Sequence, residues 1–266
     1  MKRILTAIAA FLLSVNAFAL DHSHKAWDDM LKKHVRYVQG GNASRVDYAG
    51  FARDRAELKA VLDDYSKVTK AEFDGWTKTQ QQAFLINAYN AFTVELILSK
   101  YPDLKSIRDL GSFLNKPWSK KFFKLFGQDS YLDYIEHEVL RKEGVYDDPR
   151  VHVAVVCASI GCPMLRNEAF VADKLDAQLE DAMKRFLSDR SRNRYDAQAR
   201  RLEISRIFDW YGKDFEKGHK GYTSVKATMA RYADQLADKP EDRAAVRDQK
   251  AEVTFLDYDW SLNATK

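Results

Sequence analysis

Three segments of this sequence set polar groups inside apolar text, and these are the places where it could do chemistry. The densest is DDPRVHVAVVCASIGCPMLR, residues 147–166, which holds His152 and the only two cysteines, Cys157 and Cys162. A thiol becomes a nucleophile when a base or a helix N-terminus lowers its pKa. The Gly-containing turn at 158–161 would leave backbone N–H groups free to stabilise an oxyanion. The run VHVAVVC reads as a buried strand, because it is apolar and rich in β-branched residues. Alternation then sets His152 with Ala154 and Val156 on one face and Cys157 on the other. A direct His152–Cys157 pair is therefore disfavoured, whereas Cys162 could meet His152 if the loop folds back.

The second segment is FLINAYNAFTVELIL, where Asn87 and Asn90 are three apart and share one face of a buried helix. A buried carboxamide must be hydrogen-bonded. Two roles are open for the pair: tying down loop backbone, or lining a site as an orienter of His or an oxyanion donor. The third segment, YLDYIEHEVLR, mixes Glu136, His137 and Arg141 with apolar residues on a short helix. His137 could act as a general base. Adjacent Glu136 and His137 cannot face each other on a helix, so either one pairs with another segment or the group is a structural ion pair.

Three fates are open for the thiols. They could form a disulfide or lie inert, one could be a nucleophile, or both could join His152 and His137 around zinc. The x4–x4 spacing of His152, Cys157 and Cys162 is not that of a usual structural zinc site, and no metal or other cofactor is expected.

The rest of the chain bounds these options. Its 266 residues are 45% apolar and 12% aromatic, with 11 Gly and 5 Pro, which excludes disorder and collagen-like sequence. Lys2 and Arg3, an apolar run at 4–15 and Ala17-Phe18-Ala19 read as a cleaved export signal over residues 1–19. The mature chain, 20–266, would be one domain of about 247 residues, periplasmic or secreted. No later stretch is long and apolar enough to span a membrane. Without Lys2 and Arg3 the chain has 41 basic and 39 acidic residues, interleaved rather than clustered. Nucleic acid is thus a poor partner, and a small molecule or peptide a better one.

The elements that must position these residues are mostly helical. Trp27, Leu31, Val35 and Val38 follow a helical period up to Gly40-Gly41. A long central helix runs from about 79 to 100, apolar nearly all round and stopped by Pro102. Further helices are expected at 132–141, 172–187 and 207–215, and strands at 121–126, 200–204 and 252–258. His22, His24, His34 and His219 read as surface residues, and Trp210-Tyr211 as core. Strands scattered among dominant helices argue an α+β domain with a small mixed or antiparallel sheet.

Taken together, FLINAYNAFTVELIL, IEHEVLR, DPRVHVAVVCASIGCPMLR, ISRIFDWYGKDF and FLDYDWSLN resemble the domain-of-unknown-function 547 family, from about Trp27 to Asn263. The matching positions are Asn87, Asn90, Glu136, His137, Arg150, His152, Cys157, Cys162, Pro163 and Tyr258-Asp259-Trp260. The family includes exported bacterial proteins, and its activity is unsettled. Its plant members resemble this chain at Cys157 but have Ser where Cys162 stands, which implies that Cys157 is the functional thiol. A cysteine-protease-like site is suggested by analogy of residue types alone, since those enzymes place Cys before His. Two functions follow as expectations. One is a thiol-dependent hydrolase or acyltransferase acting on an amide or peptide bond, with Cys157 as nucleophile, His152 or His137 as base, Glu136 as orienter and Asn87, Asn90, Arg150 and Cys162 in binding roles. The other is a non-catalytic periplasmic binding module clamped by a Cys157–Cys162 disulfide.

Overall fold

A capping box starts the longest helix, and the rest of the fold is arranged around it. The structure, a computed structural model, describes residues 19–112 and 115–265, so the expected leader lies outside the described residues except for Ala19. Before that helix come α1 (Lys25–His34), β1 (Val35–Val38), β2 (Ala43–Val46), α2 (Tyr48–Arg53), α3 (Arg55–Lys67) and α4 (Lys70–Asp74). The first helix is thus shorter than its hydrophobic period predicts. Val35 to Val38 leave it and pair antiparallel with Ala43 to Val46. Positive φ angles at Gln39, Gly40 and Gly41 allow the chain to reverse between them.

In α5 (Lys78–Leu98), Thr77 and Gln80 cap each other reciprocally. Its residues are buried from Gln81 to Val94 without a break, as the apolar text predicts. β3 (Phe123–Leu125) and β4 (Gln128–Ser130) form a hairpin. A π-helix at Tyr134–Leu140 follows, then a 3-10 turn at Pro149–Val153. Beyond these lie α6 (Leu175–Ser188), β5 (Arg194–Asp196), β6 (Arg201–Ser205), α7 (Ile207–Trp210), α8 (Val225–Arg231), α9 (Ala233–Leu236), α10 (Pro240–Arg247) and β7 (Glu252–Leu256). The last three strands make a mixed sheet in the order β5-β6-β7, antiparallel then parallel. The architecture is α+β, as expected, with small two- and three-stranded sheets.

The strand expected at 151–157 does not form. Asp148 caps a 3-10 turn through the Arg150 N–H, and Val151 accepts from both Ala154 and Val155. The remainder of the segment, residues 154–157, pairs with no strand among the described residues. The Asn90 carboxamide substitutes for one, donating to Ala154 O at 2.9 Å and accepting from Val156 N at 3.0 Å. β-branched composition favours extension only where a partner ladder exists, and here a helix side chain takes that place.

Two apolar clusters share the molecule. One surrounds α5, and the other fills the space between α6, the mixed sheet and α7–α10. Segment 149–157 runs along their seam: Val151 and Ala154 belong to the first, Val153 to the second. A cleft of about 1020 Å³ opens on that seam.

Candidate active site

Because the 3-10 turn replaces strand alternation, His152 and Cys157 do not sit on opposite faces; both line the cleft. So do Cys162, Glu136 and His137, and every residue expected in a catalytic role is therefore gathered there. Cys157 is half-buried and Cys162 buried, both as free thiols.

Cys157 Sγ lies 3.1 Å from Cys162 Sγ, 3.0 Å from Ser159 Oγ and 3.1 Å from the Tyr258 hydroxyl. These groups, with Cys162 the largest influence, outweigh the desolvation of the sulfur and bring the Cys157 pKa down to about 7. Burial drives the Cys162 thiol well above its ordinary value, and the neighbouring Cys157 sulfur adds to that. Cys162 thus keeps its proton and donates it in a hydrogen bond to a Cys157 thiolate. Burial and the same thiolate keep the Tyr258 phenol protonated. No hydrogen bond joins Cys157 to His152 or His137, so the thiol is activated by its donors and not by a paired histidine.

The thiol loop is held by the end of the chain. Ile160 N donates to Ser261 O and Gly161 N to Asp259 O, both at 2.8 Å, and Asn263 N donates to Ala158 O. At Gly161 a Cβ would sit 3.0 Å from Asp259 N and 3.0 Å from the Tyr258 ring, so a larger residue would press on the closing segment. Ala158, directly after the thiol, takes a left-handed φ of 61° while buried, a strained conformation for a residue with a Cβ. Part of the expected supply of free N–H groups in this turn is taken up, while the Ser159 N–H acts on the Cys157 sulfur itself. Cys157 N donates to Cys162 Sγ, Cys162 N to Ser159 O, and residues 160 and 161 are engaged as above. Tyr89 also lines the cleft, and burial, then the nearby Glu136 and Cys157, keep its hydroxyl protonated.

His152 is oriented by a carboxylate, though not by Glu136. Its Nε2 is 2.8 Å from Asp214 Oδ2, and Arg141 Nε donates to the same oxygen at 2.6 Å. Burial opposes charge on Asp214, but these two donors hold its pKa well below the ordinary carboxylate range. An ionised Asp214 requires the His152 proton on Nε2, which leaves Nδ1 as a bare acceptor with no protein partner. Burial lowers the His152 pKa, so the ring is neutral near pH 7. Tyr211 stacks on it at 3.8 Å and 19°. Glu136, buried, acts on Tyr211, raising the pKa of a phenol already desolvated. His137 Nδ1 is 2.8 Å from an Arg141 nitrogen, which places His137 at the end of this network. The π-helix that carries Glu136, His137 and Arg141 widens the turn, and Arg141 N donates to Glu136 O across five residues.

The other expected site residues lie away from the cleft lining. Asn87 donates to Phe170 O at 2.7 Å and accepts from Phe170 N, as Asn90 does for the thiol segment. Both amides tie backbone and line no site. Arg150, buried, pairs with Asp148 and Asp176 and is structural. The zinc arrangement does not assemble: among the described residues, no three His, Cys, Asp or Glu side chains are placed to hold a metal. Two histidines read as surface are buried. His24 meets the Tyr65 hydroxyl at 3.1 Å, and His34 meets Asp54 at 2.7 Å. Trp210, read as core, is 45% exposed and lines the cleft. Sequence reasoning missed Tyr89, Tyr211 and Ser159. Their only signal was position: Tyr89 between the two asparagines, Ser159 inside the CASIGC turn, and Tyr211 beside Trp210.

Fold and cleft together define an α+β protein with a paired-thiol site. Residues 73–187 match the model of the family described as protein of unknown function, DUF547, a stretch that holds three of the five motifs that suggested it. That stretch holds both asparagines, the π-helix and both thiols, while Asp214, Tyr211 and Tyr258 lie beyond it. No curated protein and no solved structure matches the chain. Among the described residues no helix is long and apolar enough to cross a membrane.

Proposed function

We propose that this protein is a thiol-dependent hydrolase or acyltransferase acting on an amide or peptide bond, with Cys157 as nucleophile. The observation that carries the reading is the Cys157 sulfur, lining a large cleft and within hydrogen-bond distance of Cys162, Ser159 and Tyr258. The thiolate attacks the substrate carbonyl, and the Tyr89 hydroxyl supports the developing oxyanion. The carbon–nitrogen bond breaks, leaving a thioester on Cys157. The departing nitrogen takes its proton from solvent; Nδ1 of His152 then takes the proton of the incoming water or acceptor as its oxygen or nitrogen attacks the thioester, the carbon–sulfur bond breaks, and Cys157 leaves as the thiolate. Asp214 keeps Nδ1 available by holding the opposite proton, the role first assigned to Glu136. The leader-like text of residues 1–19 supports an activity outside the cytoplasm.

The test uses p-nitrophenyl acetate as acyl donor. A transient acetyl adduct on Cys157, absent in Cys157→Ser, is the expected result. A protein that acquires no adduct, with Cys157 titrating near the ordinary value of about 8.5, overturns the reading. A protein whose thiols alkylate only after reduction would favour the clamped binding module instead.

A further inference from the structure

The outer end of the cleft carries charge and aromatic surface that the bond-breaking step does not use. Lys105, Arg108 and Lys116 line it, and none has a carboxylate partner among the described residues. The acids that share the cleft are occupied. Asp109 accepts from the N–H groups of Lys105 and Ser106, at 2.8 and 3.0 Å. Asp133 accepts from the Ser119 hydroxyl at 2.6 Å, and Glu136 faces Tyr211. Those donors are neutral and leave the acids charged, but they turn the Asp109 and Asp133 oxygens to backbone and hydroxyl partners, so the three cations are the groups left without a partner.

Beside it lies an unbroken aromatic surface. Arg108 sits 5.3 Å over the Trp260 ring, and Trp118 meets Trp260 at 6.0 Å. Trp210 stacks near Trp260 at 5.7 Å and 27°, and Trp260 touches Tyr258 at 4.5 Å. The Tyr258 hydroxyl then reaches the Cys157 sulfur. The platform so joins the cations to the reacting atom. Leu262 N donates to Lys105 O at 2.7 Å, which docks the basic turn on the segment that carries Trp260. An exposed indole at a cleft mouth is a large apolar surface left wet, and a flat ligand face would cover it.

We infer that this end of the cleft is a subsite for an acidic, ring-bearing amide. Its carboxylate meets Lys105, Arg108 and Lys116, and its ring lies on Trp260 and Trp210. The inference rests on the thiol-hydrolase reading only for which part of the ligand reacts. Binding itself does not require Cys157 to be a nucleophile. The ring could be aromatic or a sugar, and both present a flat apolar face to an indole.

Tryptophan emission reads the binding, because three of the five tryptophans line the subsite. Hippurate supplies an aromatic ring, an amide and a carboxylate; its methyl ester removes the charge, and N-acetylmuramic acid replaces the aromatic ring with a sugar. At least one of the two acids should change the emission saturably, and whichever binds more tightly assigns the ring. The ester should bind about tenfold more weakly than hippurate if hippurate is the ligand. Arg108→Gln with Lys116→Gln should weaken the acid by about tenfold or more and leave the ester unchanged. Equal binding of acid and ester, full affinity in the double variant, or silence from all three probes would overturn the inference. Titration of Cys157 in that variant separates the two proposals: a thiol still ionising near pH 7 leaves the nucleophile reading intact whatever the subsite does.

Discussion

Replacing Tyr258 by Phe removes one hydroxyl from the Cys157 sulfur and keeps the ring that packs on Trp210, Trp260 and Gly161. A hydrogen bond to a charged group contributes about 1.5–3 kcal/mol, and one pKa unit corresponds to about 1.4 kcal/mol. Sulfur is a weak acceptor and Ser159 and Cys162 remain, so the low end applies, about one unit. The Cys157 midpoint should move from about 7 to roughly 8. At pH 7 the thiolate fraction would then fall from about one half to about one tenth, so alkylation slows about fivefold. At pH 10 the two proteins should alkylate at nearly the same rate, since both are then fully ionised. Iodoacetamide labelling from pH 5 to 10, read at the Cys157 peptide by mass spectrometry, measures this directly. A midpoint that does not move on losing the hydroxyl, or a wild-type midpoint in the ordinary thiol range, would refute the account of the thiolate given above.

Three further outcomes are expected. Asp214→Asn exchanges a carboxylate acceptor for an amide that can donate to His152 Nε2, which moves the ring proton to Nδ1; acyl-transfer turnover should fall about 10²–10⁴-fold while the Cys157 alkylation midpoint stays put. Asn90→Ala leaves Ala154 C=O and Val156 N–H unpaired in the interior; urea unfolding should show a loss of about 2–4 kcal/mol. His24, buried beside Tyr65, has its pKa lowered from 6.5 to about 4, chiefly by desolvation, with His22 adding and Asp21 opposing. The unfolded chain therefore binds the extra proton first, and stability should fall as pH drops from 6.5 to about 4, by on the order of 3 kcal/mol. His152 and His22 act with the same sign. The measurement is thus the difference in unfolding midpoint against His24→Asn, since Asn tolerates the left-handed φ of 50° found there. Equal slopes in the two proteins would sink that assignment.

Periodicity located α5 to within two residues at each end, because an all-round apolar helix twenty residues long leaves little else it can be. It misread the thiol segment for a physical reason: VHVAVVC is β-branched, but whether such a run extends depends on a partner strand, and only the fold shows that Asn90 takes that place. The same blindness applied to Val35 and Val38, whose three-residue spacing suits a helix as well as the strand they form. Residue types alone picked out Cys157, His152, His137 and Glu136, which the cleft gathers. They paired the wrong partners, since the orienter of His152 is 62 residues away and the hydroxyl on Cys157 is 101 residues away. Long-range contacts of that kind carry no local pattern. Burial of His24 and His34 was equally hidden, because charged residues stand close to both histidines in sequence while the rings turn inward.

The closing segment has a consequence for the order of events during synthesis. A chain made from its N-terminus exposes Cys157 about a hundred residues before Tyr258 exists. Until the last residues arrive, nothing pins residues 158–161 against Asp259, Ser261 and Asn263, and one of the donors that acidifies the sulfur is missing. The nascent thiol is then an ordinary, mostly protonated cysteine, slow to react with what it meets on the way. Docking of the closing segment is the moment at which the sulfur gains its last hydrogen-bonding partner. An early stop codon anywhere before residue 258 would leave a polypeptide that retains the family-matched stretch and both thiols but never completes that activation.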